Sequence, residues 1–285
     1  MAIYKGNKKV VAVYKGSTPI NKIYKGSTLV FQKSGGGGST HLIEGTATEN
    51  FYLTINNNQT IPITPDASGK WFYDTDETIT SLNNAFFSQS AVTSVDLSNL
   101  DLTGIDTGSM FQGSSNITSI KFNNTKSMKL KYIEGMFRDC KLLTSINLSS
   151  FDTSSLTSAS SLFSDCSSLV SLDVSKWDTS KLQNAGYLFT SCSKLVSLDL
   201  SNWDTSSLTY AISLFNSCSS LVSLDLSNFD MSKATHYNYM FVGCTSLSTI
   251  KCKQAFKDWC ITHQDDIYLP TAMQEGGSGT WELTD

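Results

Sequence analysis

Residues 163–188 read FSDCSSLVSLDVSKWDTSKLQNAGYL, and residues 189–214 read FTSCSKLVSLDLSNWDTSSLTYAISL. The two lines align without a gap, so the chain repeats itself every 26 residues. A fixed period of this length marks a stacked repeat architecture, and it outranks local propensity. Working outward, Phe111, Phe137, Phe163, Phe189, Phe215 and Phe241 are spaced by 26, and Phe86 lies 25 before the first of them. Three residues after the later phenylalanines come Cys140, Cys166, Cys192, Cys218 and Cys244. Apolar triplets such as Leu169/Leu172/Val174, Leu195/Leu198/Leu200 and Leu221/Leu224/Leu226 return at fixed offsets. Further on stand Phe151, Trp177, Trp203 and Phe229, each followed by an aspartate.

Each unit has a physical reading. The L-x-x-L-x-L pattern ends in a period-two alternation, which predicts a short strand with one buried face. Asp-Thr-Ser supplies side-chain acceptors for a turn or a helix N-cap. Leu182, Ala185, Leu188 and Phe189 then fall on one stripe, which predicts a short helix. One strand and one helix bury too little to stand alone, so the rungs must stack into a quasi-one-dimensional core. The fold expected is an α/β repeat, a right-handed leucine-rich-repeat solenoid with a strand and a short helix in every rung.

Units such as Met136-Phe137-x-x-Cys140, continuing through Leu143, Ile146, Leu148, Phe151, Asp152, Thr153 and Ser154, resemble the BspA-like leucine-rich repeats of bacterial surface proteins. The resemblance spans roughly residues 85–250 and implies a recognition scaffold with a binding or adhesion role. The second unit departs from the pattern, with Lys121-Phe122-Asn123-Asn124-Thr125 where others carry Leu-Ser-x-Trp-Asp, and a distorted rung is expected there.

The ends of a solenoid need covers. Residues 41–84 read as short strands with turn punctuation, an N-terminal β cap. Residues 251–285, with Phe256, Trp259, Ile267, Leu269 and Trp281, read as the C-terminal cap. Residues 1–33 follow a different, ten-residue period through Tyr4-Lys5-Gly6-Asn7, Tyr14-Lys15-Gly16-Ser17 and Tyr24-Lys25-Gly26-Ser27, which predicts small β-hairpins. A unit this small cannot hold a core unaided, so Tyr4, Lys5, Tyr14, Lys15, Tyr24 and Lys25 are the candidate residues of a docking arm. Residues 34–40 form a flexible Gly/Ser linker. The hairpins resemble the particle-docking segments of bacteriophage tail and baseplate proteins. That resemblance implies a virion protein made in the host cytoplasm, other virion proteins as partners of residues 1–33, and a homotrimer by analogy with tail fibres.

Composition narrows the class. Charged residues are only 16 % of the chain, and hydroxyl and amide side chains fill the polar positions. The net charge of -4 combines seven lysines and no acid in residues 1–33 with -11 on the rest. An acidic body argues against nucleic acid as ligand. No apolar run is long enough to insert in a membrane. The longest apolar stretch near the start, Val10 to Tyr14, falls short of a secretory signal, so no export address is expected.

The cysteine ladder reads as small buried hydrophobes, since it lacks the C-x-x-C and histidine spacing of a metal site. Cys252 and Cys260, in the C-terminal cap, are the one candidate disulfide pair. The Phe151/Trp177/Trp203/Phe229 ladder reads first as core wall; exposed Trp faces there would instead make a carbohydrate stripe. The ladder Asp101, Asp152, Asp178, Asp204 and Asp230 reads as turn capping. Strand positions pointing away from the core are Ser171, Asp173, Ser197, Asp199, Ser223 and Asp225. They are the candidate face for a bacterial surface glycan or protein, or for a cation, against the alternative of a solvated face with capping side chains. No catalytic constellation, cofactor loop or metal motif is present in the sequence, so a non-enzymatic protein without a cofactor is expected.

Overall fold

A computed structural model describes residues 3–5, 8–10, 22–25, 28–32, 43–56, 59–73 and 78–284. The repeats wind into a β-solenoid of about six turns. Its axis is drawn by the phenylalanines. Phe86, Phe111, Phe137, Phe163, Phe189, Phe215 and Phe241 form one buried column, with consecutive ring centroids 5.2 to 6.0 Å apart. Parallel offset rings at this distance gain beyond plain burial. Identical side chains from successive rungs therefore share one interior.

Ahead of the repeats, β1 (Ile3–Lys5) pairs antiparallel with β2 (Lys8–Val10), and β3 (Lys22–Lys25) with β4 (Thr28–Gln32). The linker at 34–40 and the Gly-Asn and Gly-Ser turn positions lie outside the described residues. Next come β5 (Ile43–Ala47), the hairpin of β6 (Phe51–Ile55) and β7 (Gln59–Ile63), and β8 (Lys70–Tyr73). β5 runs antiparallel between β8 and the first repeat strand, β9 (Val92–Leu97). Only glycine fits at position 45, because a Cβ there would run into the Ser94 carbonyl. The Thr54 and Asn56 N–H groups donate to the Ala85 and Ser81 carbonyls of the first rung at 3.0 and 2.9 Å.

The strand wall continues through β10 (Ser119–Phe122), β11 (Met128–Lys129), β12 (Phe151–Asp152), β13 (Ser197–Asp199), β14 (Ser223–Leu226), β15 (Thr249–Cys252) and β16 (Thr280–Leu283). Pairing is parallel between β9 and β10, β11 and β12, and successively from β13 to β16. Ile146–Leu148 and Leu172–Val174 keep the alternation without a regular ladder. In the divergent second rung, Phe122 is buried and meets Phe151 edge-on at 5.0 Å, standing in for the missing Trp-Asp run.

The helix expected in each rung does not form. Residues such as Ala159–Cys166 are consecutive turns, and among the described residues α-helix appears only after the last repeat, at α1 (Gln254–Thr262) and α2 (Gln264–Ile267). The reason lies in how backbone donors are shared. Ala159, Ser161, Phe163 and Asp165 send their N–H groups to Asn184, Gly186, Leu188 and Thr190 of the next rung, all at 2.8 to 3.0 Å. Leu162, Ser164 and Cys166 donate three residues back within their own rung. A helix would spend every donor internally and leave none to join the stack. The alternation is enforced by left-handed residues two before and two after each phenylalanine, such as Ser161 and Asp165, Tyr187 and Ser191, or Ser213 and Ser217.

At the far end, the Tyr239 and Phe241 N–H groups donate to Asp266 and Ile267, both at 2.8 Å, and Phe256 packs edge-on against Phe229. Among the described residues, no helix is long and apolar enough to cross a membrane.

Candidate functional site

Three ladders along the repeats, two of them buried, consume residues whose types could otherwise carry chemistry. Each cysteine of the main ladder donates its thiol to the phenylalanine carbonyl of the preceding rung, from Cys140 to Phe111 through Cys244 to Phe215, at 3.0 to 3.4 Å. Burial drives these thiols far above their ordinary range, Cys244 to about 12, so they are not nucleophiles. Ser114 holds the same position one rung earlier and donates to Phe86. Cys252 and Cys260 are buried as free thiols and form no disulfide.

The aromatic ladder is core wall. Phe151, Trp177, Trp203 and Phe229 are buried, Trp177 and Trp203 stack at 6.2 Å, and the Trp203 indole donates to Val174. Neither Trp face of this ladder is open to a sugar. The second aspartate ladder caps turns as expected: Asp101, Asp152, Asp178, Asp204 and Asp230 each accept the N–H of the residue two further on. Between these aspartates and the core runs a ladder the sequence reading missed. The buried Thr153, Thr179 and Thr205 hydroxyls donate to Asp178, Asp204 and Asp230 carbonyls of the next rung at 3.1, 3.1 and 3.0 Å. Its signal was the threonine that follows Asp152, Asp178 and Asp204, which turn capping alone does not require.

The proposed binding face is the outer side of the strand wall. Ser197 faces Ser223 and Asp199 faces Asp225 across β13 and β14; Ser171 and Asp173 lie one rung earlier, outside a regular strand. Ser171, Asp173, Ser197 and Asp199 are exposed, while Ser223 and Asp225 are half-buried. Asp173, Asp199 and Asp225 each use one oxygen to accept the N–H of Ser175, Ser201 or Ser227. The Ser175 hydroxyl, with its backbone N–H, holds Asp173 below the usual carboxylate range. At Asp225 burial pulls the other way, but the Lys251 ammonium at 2.9 Å and Ser227 win, and the carboxyl is lowered. The face thus combines capping duty with an exposed acidic centre. Beside it Val170, Val196 and Val222 form a half-exposed apolar column. Among the described residues, no group of three or more His, Cys, Asp or Glu side chains is placed to hold a metal ion. Of the docking-arm candidates, Tyr4 and Lys5 lie on β1 and Tyr24 and Lys25 on β3; Tyr14 and Lys15 lie outside the described residues.

The opposite, turn wall carries a second surface. Tyr187 and Tyr239 occupy the left-handed position before the phenylalanine, with φ of 59° and 63°, and Tyr268 has φ of 55°. Other rungs place Ser161, Ser213 or Gly135 at this position. A bulky residue held there costs about 1–3 kcal/mol. All three tyrosines are nonetheless around half exposed, at 43, 47 and 53 %. Three residues earlier in the rung, a neighbouring column runs through Ser158, Asn184, Tyr210 and His236, and the last two rings stack at 3.9 Å.

Comparison with known proteins meets this geometry at the repeats. A family model described as "Mycoplasma protein of unknown function, DUF285" matches residues 80–197 and again 168–267, more than half of the chain. The chain belongs to that family. The two overlapping DUF285 matches cover the whole phenylalanine column except its outermost contacts, and with the solenoid they fit a BspA-like repeat protein. No curated protein matches this DUF285 chain.

Proposed function

We propose that this protein is a non-enzymatic recognition protein. In its most specific form it is a bacteriophage tail fibre or decoration protein that docks through residues 1–33 and holds its repeats against a bacterial surface receptor or glycan. The observation that carries the recognition reading is the division of labour within a rung. Cysteine thiols, the Trp203 indole and the buried threonine hydroxyls tie neighbouring rungs together, and the capping carboxylates hold turns within their own rung, so chemistry is left to the two outer walls. A long regular scaffold with variation confined to its surface is built to present a face. In this reading residues 41–84 cap the first rung with the Thr54 and Asn56 amides, and the Ser171–Asp225 strand face is the first contact surface.

The phage assignment rests on the hairpins at β1–β2 and β3–β4 and on the lysine-rich arm. A bacterial surface protein is the second reading, and the BspA-like character of the repeats supports it. A truncate lacking residues 1–38 separates the two. On the phage reading it folds yet fails to join particles; normal incorporation rejects the arm. Recovery of the full chain from the envelope of cells without prophage supports the bacterial reading. Charge reversal of Asp173, Asp199 and Asp225 to Lys tests the strand face, because unchanged attachment to cells means that this wall makes no contact.

A further inference from the structure

The fold does not require Tyr187, Tyr210, His236 or Tyr239. The rungs tolerate serine at the same positions, as Ser158, Ser161 and Ser213 show, and Tyr187 and Tyr239 adopt a backbone conformation that disfavours them. Tyr268, the left-handed C-cap of α2, packs on Tyr239 at 5.4 Å. Strain of this kind persists where something other than packing selects the residue. We infer that the turn wall of the last three rungs is a binding platform for a neutral glycan. The inference deepens the recognition reading, and it moves the contact from the strand face to the opposite wall.

Three features choose the ligand class. The first is shape. Backbone bonds place Ser213 between Tyr187 and Tyr239 in one column, through Tyr187 N–H to Ile212 and Ser213 N–H to Asn238. The tyrosine Cα atoms therefore stand about 9.6 Å apart, twice the rung spacing. Two van der Waals contacts of ~3.5–4.0 Å fill most of that span. Buried Ser213 is the floor of a notch the width of one sugar ring.

The second feature is charge. The notch and its neighbours, Tyr187, Ser213, Tyr239, Asn184, Tyr210 and His236, include no lysine, arginine, aspartate or glutamate; exposed Asp265 and Asp266 lie beyond Tyr239, at the Tyr268 end. A platform for sulfated or sialylated glycans needs a cationic group, and one for a basic peptide needs carboxylates. Neither lies between Tyr187 and Tyr239. The third is amphipathy. Tyrosine pairs an apolar ring with a hydroxyl, matching a sugar's C–H face and its hydroxyl rim. A protein partner calls instead for a broad apolar centre of roughly 800 Å² per side. The aliphatic column of Val170, Val196 and Val222 lies on the other wall.

The test uses the full chain and its Tyr187→Ser/Tyr239→Ser variant in titration calorimetry. The probes are maltohexaose, cellohexaose and hexa-N-acetylglucosamine, with a sulfated and a sialylated glycan in parallel. Binding of at least one neutral oligosaccharide is expected, weakened about tenfold per ring removed, the equivalent of ~1.4 kcal/mol each. The variant's Tm is expected to rise, because serine relieves the left-handed tyrosines; a merely structural role would lower it. Binding of none of the neutral probes, binding of charged glycans only, or undiminished binding by the variant each overturns the platform. Attachment of the full chain to bacterial cells is measured alongside. Cell attachment without neutral-glycan binding removes the platform and leaves the recognition reading standing; absence of both removes the reading itself.

Discussion

Replacing Thr205 with Val tests the buried threonine ladder, because the change conserves shape and deletes only hydrogen bonding. Thr205 makes two bonds to one residue of the next rung. Its hydroxyl donates to the Asp230 carbonyl at 3.0 Å and accepts the Asp230 N–H at 2.7 Å. Thr179 makes the donation to Asp204 at 3.1 Å, and among the described residues the return bond is found only at Thr205. Losing one donation costs about 1 kcal/mol net, and stranding an amide donor adds about 1–3 kcal/mol. The added methyl returns ~0.8 kcal/mol at a site that is 1 % exposed. Thr205→Val is therefore worth about 1–3 kcal/mol, and Thr179→Val less than ~1 kcal/mol. Urea unfolding followed by tryptophan fluorescence reads both, since Trp203 lies two residues from Thr205 and stacks on Trp177. The Asp230 amide should also lose hydrogen-exchange protection in Thr205→Val alone. Equal destabilisation by the two variants, or a protected Asp230 amide in Thr205→Val, refutes the asymmetry and with it the role of these hydroxyls as rung-to-rung ties.

Other expectations follow from the same stack. Phe189→Ala opens the column between rings 6.0 and 5.9 Å away and should cost about 3–5 kcal/mol, with calorimetry resolving separate transitions for the two halves. Cys192→Ser should be tolerated within ~1 kcal/mol in the same denaturation assay, because Ser114 already donates from that position; Cys192→Val has no donor and should lose more. Iodoacetamide at pH 8 should leave the five ladder cysteines unlabelled until the chain is unfolded. Hydroxyls two residues on hold Asp152, Asp178 and Asp204 below their unfolded value of about 3.9, so their contribution is present above that pH and lost as pH falls through the lower folded values. Thermal scans should be flat from pH 7 to 5 and decline below about 4, modestly, because these carboxylates are solvent-screened.

The period, the phenylalanine column, the buried cysteines and the Trp wall were legible because a stacked core repeats its chemistry at one offset. Leu182, Ala185, Leu188 and Phe189 misled for a physical reason. Consecutive right-handed turns share the three-residue spacing of a helix, and what separates them is the left-handed residue between, in most rungs a serine, aspartate or tyrosine and a glycine only at Gly113, Gly135 and Gly243. The strand-face residues were placed correctly as outward-pointing at Ser197 and Asp199, but not their ties to Ser201 or, at Asp225, to Lys251. The exposed tyrosines escaped notice because they fall in different rungs and columns, where a search for repetition discards them as noise. Their meaning lies in the departure from the repeat.

The alternating amides of Ala159–Cys166 carry a consequence for how such a chain changes over generations. Since each rung bonds only to the ones above and below, and the amide ladder repeats from one junction to the next, a stretch of one period can be duplicated or excised with little disturbance to the other contacts. Reach, rather than shape, is then the property most easily tuned, while a tyrosine notch can be rebuilt on any storey without rewriting the beams.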